Sequence, residues 1–193
     1  MHPSSTRTEY EKRQLAFYRY IQGLQKQDAI EGMAKLLFDF LNEWFQFELI
    51  WIAQYDAQSR LLGGIQGVLP KITDRDTNFL RRKQPILPGD LFDQVLLTGT
   101  LQEIPSLKQE QRVGDWQVVA QSQNIQGSMI LPIRYRQQSF GAILVGTTLW
   151  GGHPRPEEMT ELKMLAATLG TELHRILGQS TSPPVHHSHQ LSI

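Results

Sequence analysis

Cysteine, the side chain that offers nucleophile, redox couple and soft metal ligand at once, is absent from all 193 positions of this chain. That absence removes disulfides, thiolate metal sites, thiol nucleophiles and thioether attachment of a chromophore. Histidine, the usual general base and metal ligand, occurs at positions 2, 153, 174, 186, 187 and 189. His153 falls in a loop and His174 on a helical stretch, neither with a carboxylate or second imidazole at metal-ligand spacing, so both read as structural or solvated. His186, His187 and His189 lie in a Ser- and Pro-containing stretch where flexible imidazoles can gather a metal adventitiously, and no metal site is assigned there. Gly63-Gly-Ile-Gln-Gly67 is spaced like a phosphate cradle but lacks the Lys-Ser/Thr ending and opens no clear helix, which favours strand glycines in a twisted hairpin. Arg75, Arg81, Arg82 and Lys83 make a compact basic patch, either a solvated helix end or a contact for an anionic ligand or acidic partner. No Ser-His-Asp order, paired-carboxylate motif or His-Glu-x-x-His stands out, so the chain does not read as an enzyme.

The elements that must position these groups belong to one domain. Hydrophobic residues make up 40% of the chain and charged residues 20%, enough for a single buried core with room for an extra helix or a tail. Lys plus Arg and Asp plus Glu both number 19, so no net charge draws the protein to nucleic acid or to an anionic membrane. The N-terminus has no signal-type apolar core, and no apolar run approaches the roughly 18 to 20 residues of a membrane span. A cytoplasmic protein is the expectation.

Ser4 to Gln27 carries Leu15, Tyr18, Ile21 or Gln22, and Leu24 or Gln25 at helical spacing in a narrow apolar stripe. Asp28 is placed to cap a second helix with Ile30, Met33, Leu37, Phe40, Leu41 and Trp44 on a broad face. Phe47 to Tyr55 and Leu61 to Leu69, joined by Asp56-Ala-Gln-Ser59, predict a hairpin. The stretch from Pro70 to Ile125 is irregular. It holds a basic helical stub near Phe79 to Lys83, a capped short helix from Asp90 to Thr98, a β-like Leu101 to Ile104, and a short helix starting at Gly114 or Asp115. Gly127 to Tyr135 and Phe140 to Thr148 predict a second hairpin, turned by Arg136-Gln-Gln-Ser139. A last helix starts near Pro156, with Glu157, Glu158 and Glu161 suited to its N-terminal dipole and Gly178 placed to close it. The domain reading is an N-terminal extension helix over residues 1–27, a main domain over 28–178 and a disordered tail over 179–193.

Several stretches resemble GAF domains, the sensory fold related to PAS. They are Pro88-Gly-Asp-Leu-Phe-Asp-Gln-Val-Leu-Leu-Thr-Gly-Thr100, Ser128-Met-Ile-Leu-Pro-Ile133, Phe140-Gly-Ala-Ile-Leu-Val145 and the last helix's opening, His153-Pro-Arg-Pro-Glu-Glu-Met-Thr-Glu-Leu-Lys-Met-Leu-Ala166. The resemblance covers about Asp28 to Gly178 and implies an α+β sandwich. Its central antiparallel sheet would have about five to six strands, with the N- and C-terminal helices on one face and short helices and loops on the other. Bilin-binding and methionine-sulfoxide-reducing members rely on cysteine, so its absence disfavours both functions, and no cyclic-nucleotide signature is present.

The fold places ligands between the sheet and the crossing segments, which would make Trp51, Phe92, Trp116, Trp150 and Met129 apolar walls and Gln126, Ser128 and Thr147 polar anchors. Simple core packing is the competing reading for each. Any small molecule there would be held noncovalently. Leu15, Leu24, Leu162, Leu169, Leu173 and Ile176 are candidates for a homodimer interface. The implied function is a noncatalytic regulatory module that senses a small ligand or relays a signal to a partner protein through its terminal helices. The alternative is an interaction or assembly factor whose pocket is filled by side chains, and pocket volume separates the two.

Overall fold

A computed structural model describes residues 3–71, 74–149 and 154–179. Trp150, His2, His153, the tail beyond Gln179 and the side chain of Arg75 lie outside what it describes. Helix α1 (Pro3–Gln25) is followed by α2 (Ile30–Trp44), the hairpin β1 (Leu49–Asp56) and β2 (Leu61–Val68), and α3 (Asp74–Arg81). Then come β3 (Lys83–Pro85), α4 (Leu91–Thr98), β4 (Gln102–Ile104), two short 3-10 turns, α5 (Trp116–Gln123), the hairpin β5 (Ser128–Tyr135) and β6 (Gln138–Gly146), and α6 (Pro156–Gln179). The six strands form one antiparallel sheet in the order β3-β2-β1-β6-β5-β4.

Side-chain alternation divides the core in two. Ile50, Ile52, Met129, Leu131, Ile133, Ile143 and Val145 meet α1, α2 and α6 on one face. Leu49, Trp51, Ala53, Ile130, Ala142 and Leu144 meet α3, α4 and α5 on the other. Two irregularities break the period of two. Ile52 pairs with Gln66 and Ala53 with Gly64, leaving Ile65 as the extra residue of a bulge. Ile133 pairs with Gly141 and Arg134 with Ser139, so Phe140 is extra and joins the core on the terminal-helix face.

Some local expectations are corrected. Ala29, not Asp28, stands at the N-cap of α2, and it makes no side-chain capping bond. The second hairpin turns on Arg136 and Gln137 alone, because Tyr135 pairs with Gln138, and Arg136 takes a positive φ of 53°. Helix α6 runs one residue past Gly178. Strand β3 follows α3 directly and pairs with β2.

Among the described side chains of α1, Tyr20 and Leu24 are buried, Ala16, Phe17 and Ile21 pack half-buried against the core, and polar ties add to that attachment. Tyr20 donates its hydroxyl to the Leu165 carbonyl at 3.2 Å. Arg13 lies over the Phe45 ring at 4.4 Å and pairs with Glu158 and Glu161 of α6. Arg175 of α6 donates to the carbonyls of Gln25 and Gln27 at 3.5 and 3.1 Å. These contacts set α1 parallel to α6.

The loop leaving α2 is tied to the end of β6. Thr148 donates its hydroxyl to Glu48 Oε1 at 2.8 Å and its N–H to Oε2 at 3.1 Å. Burial pulls the Glu48 carboxyl upward, but the bonds from Thr148 and Thr147 outweigh it and hold the group below its usual range. A depressed value in the folded state gives stability that is complete above the unfolded value, about 4.3, and is lost as pH falls through the folded one. Glu48→Gln is therefore expected to lower the melting temperature at neutral pH and to lose less on acidification below about pH 4.3 than the parent. Melts recorded across that range decide it, and equal acid sensitivity in both proteins would exclude the effect.

Candidate functional site

The sheet face under α3, α4 and α5 is built around Trp51 of β1. Opposite it, β2 carries glycine at 64 and 67. A Cβ on Gly64 would run into the Leu80 carbonyl and the Trp51 indole. The bare backbone lets the end of α3 lie on the strand, and Trp51 Nε1 donates to the Leu80 carbonyl at 2.8 Å. The sequence pattern places these glycines in a hairpin, and the structure shows the close approach they serve.

Trp116, the first residue of α5, lies 4.9 Å from Trp51 ring to ring. Phe92 of α4 meets Trp51 edge-on at 5.8 Å, and Phe79 of α3 meets Trp116 edge-on at 4.8 Å. Both indoles are fully buried. The rings fill the space between sheet and helices with one another, in the tilted and edge-on geometries that aromatic quadrupoles favour. Phe79 and Leu80 were not among the expected site residues. Their signal was weak, because α3 (DRDTNFLR) is mostly polar.

The remaining anchors separate. Ser128 shares this face with Ile130, in the row Leu49, Gly146, Ser128. Met129 points to the opposite face and packs among the terminal helices. Gln126 and Thr147 extend the β5 to β6 ladder beyond its ends: Gln126 N–H donates to the Thr147 carbonyl at 2.8 Å, and Thr147 N–H to the Gly127 carbonyl at 2.9 Å. Thr147 Oγ1 also accepts from the Leu149 N–H at 3.1 Å. Trp116 Nε1, Ser128 Oγ and Gln126 Oε1 are buried without a hydrogen-bond partner.

A crevice of about 10 Å³ lies on the other face, lined by Ile30, Ala34, Ile65, Phe140, Leu169 and Leu173 among others. Such a volume holds one water at most. Of the basic patch, Arg82 pairs with Asp115 and stacks on Phe79, while Arg81 and Lys83 are exposed. His174 stacks on Tyr135 at 4.4 Å. Among the described residues, no group of three or more His, Asp or Glu side chains is arranged to hold a metal.

The candidate interface residues also divide. Leu24, Leu162, Leu169 and Leu173 are buried within the protomer, where they bind α1 and α6 to the core. Ile176 is half-buried, and Leu15 is exposed. The outward apolar groups are Tyr10, Leu15 and Tyr18 on α1 and Met164 on α6. A helical apolar stripe reads the same way whether it faces a core or a second copy, and burial is what separates the two.

No family profile matches the sequence, and no curated protein does. Solved structures do match. The GAF domain of a phosphoenolpyruvate-protein phosphotransferase from Coxiella burnetii superposes with a TM-score of 0.70, covering 88% of this chain and 97% of that one at 12% identity. A GAF domain/HD domain protein from Geobacter sulfurreducens gives 0.65, 81%, 97% and 13% for the same measures. Free methionine-R-sulfoxide reductase from Neisseria meningitidis, solved with its substrate, gives 0.66, 86%, 91% and 11%. At this identity the likeness defines the architecture: the chain is a GAF-fold domain. It is one without cysteine, and no described helix is long and apolar enough to cross a membrane.

Proposed function

We propose that this protein is a noncatalytic regulatory module that acts by contact with a partner protein while its own side chains occupy its ligand face. The observation that carries this reading is the packed cluster of Trp51, Phe79, Phe92 and Trp116 on the face where a small molecule would otherwise sit. Thiol-based reduction is opposed by the missing cysteines. The exposed Tyr10, Leu15 and Tyr18 of α1 and Met164 of α6 support a homodimer in which the terminal helices pass the signal.

One observation favours the sensing reading instead. Trp116 Nε1 is a buried donor without a partner, and such groups usually mark a water or ligand acceptor. A ligand there would have to displace Phe79 and Leu80 and bind the opened arrangement more tightly than the closed one. Native mass spectrometry of protein purified from its own cells tests both readings together. The expected result is a dimer or a partner complex with no small molecule attached. A stoichiometric ligand, released unmodified on denaturation, would overturn the contact reading in favour of sensing.

A further inference from the structure

The geometry points to the segment Gln84 to Pro88 as a preformed docking ridge for a protein groove lined by aromatic side chains, an inference that rests on the partner-contact reading and names its surface. Proline at 85 and 88 fixes φ at both positions and biases Gln84 and Leu87 before them toward extended backbone. One residue of this run turns inward. Pro85, Leu87 and Pro88 are exposed, Leu87 by 60%, while Ile86 between them is buried in the core at 6%. Both prolines are thus exposed at Pro-x-x-Pro spacing, Pro85 closing β3 in its pairing with β2, while Ile86 holds the segment to the core.

From Pro85 to Asp90 the ridge offers no free backbone donor. Ile86 N–H donates to the Arg60 carbonyl at 3.1 Å, and Leu87 N–H to Asp90 Oδ2 at 2.9 Å. Gly89 N–H donates to Asp93 Oδ2 at 3.2 Å, and the prolines have none. Asp90 N–H closes back on the Leu87 carbonyl at 3.1 Å around Pro88 and Gly89, whose φ of +89° makes a type II turn. A Cβ on Gly89 would meet nothing within 4 Å, so the turn projects into open space.

An apolar, donor-free ridge fits a partner that brings its own donors. Tryptophan and tyrosine in a groove supply ring faces for the prolines and Leu87, and N–H or O–H groups for the carbonyls between them. Lys83 shares the ridge face of β3 with Pro85, and Arg81 is exposed just before it. Asp56 lies near enough to Lys83 to feel its charge but is bound to Ser59 and Gln58. Two lysine and arginine cations beside the ridge call for an acidic rim on the partner.

The test titrates the isotope-labelled full chain with a purified SH3 domain, a probe whose aromatic groove and acidic rim take Pro-x-x-Pro ligands. Amide signals of Lys83, Gln84, Ile86, Leu87, Gly89 and Asp90 should move progressively while the rest of the spectrum stays fixed. Leu87→Ser should weaken the probe about tenfold or more. Leu97→Ser, at a still more exposed leucine on α4, should leave it unchanged, and both variants should melt like the parent. No movement at millimolar probe, movement centred elsewhere, or equal loss in the two variants overturns the ridge. So does movement of the same signals on concentrating the protein alone, which would assign the surface to a second copy. A small-molecule ligand found in the native protein would defeat the contact reading while leaving the ridge result to stand or fall by itself.

Discussion

Trp116→Ala is expected to cost about 3–5 kcal/mol of folding stability, the range for emptying a fully buried aromatic site. The ring touches Trp51 and Phe79 at centroid distances of 4.9 and 4.8 Å, and each such pair adds roughly 0.5–1.5 kcal/mol beyond area burial. One effect opposes this. Trp116 Nε1 is buried without a partner, and removing an unsatisfied donor returns about 1–3 kcal/mol. The cavity and lost ring contacts outweigh that relief, so alanine destabilises on balance. Trp116→Phe separates the two contributions, because it keeps most of the ring and removes the N–H. It should fall within about 1.5 kcal/mol of the parent. Urea denaturation of the three proteins gives the comparison. A loss with phenylalanine as large as with alanine would mean that the indole N–H has an acceptor in solution, and the closed, ligand-free reading of this face would then be wrong.

The same site shows where sequence reasoning reached and where it stopped. The strands of both hairpins were legible because β-branched and aromatic residues cluster there between turn signals, and the long terminal helices followed from apolar spacing. The grouping of Ser128 with Met129 in one pocket fails on strand geometry alone, since neighbouring residues of a strand face opposite sides. Bulges were not legible. Phe140 would share a face with Ala142 and Leu144 in a regular strand, yet the extra residue in β6 turns it to the helices α1, α2 and α6. Phe79 and Leu80 stayed hidden because a two-residue apolar patch at the end of a polar helix carries no period. Leu24, Leu169 and Leu173 carried the period but not its destination: Leu24 is fully buried, and α6 presses the other two onto the sheet.

Gly170→Ala tests that seating of α6. In an exposed helix interior the change would stabilise by about 1 kcal/mol, since alanine loses less backbone freedom than glycine on folding. Here the new Cβ would fall on the backbone of Arg134, against its carbonyl and its amide nitrogen. Those atoms belong to β5, where Arg134 pairs with Ser139 beside the bulge, so no flexible side chain can yield. Relief requires α6 to lift from the strand, which loosens Leu169 and Leu173 on either side of the contact. Overpacking of this kind costs about 1–3 kcal/mol or more, and it acts on an element whose helical gain is smaller. Net destabilisation is the expected outcome. Gly178→Ala supplies the contrast on the same helix, because its Cβ would meet only the His174 ring at 3.9 Å, an ordinary contact. That variant should be neutral or more stable by up to about 1 kcal/mol. Opposite signs for the two alanines in thermal or chemical unfolding would tie α6 to β5 through backbone contact at residue 170. Stabilisation by both would mean that the helix does not rest on Arg134, and the burial of Leu169 and Leu173 within one protomer would lose its support.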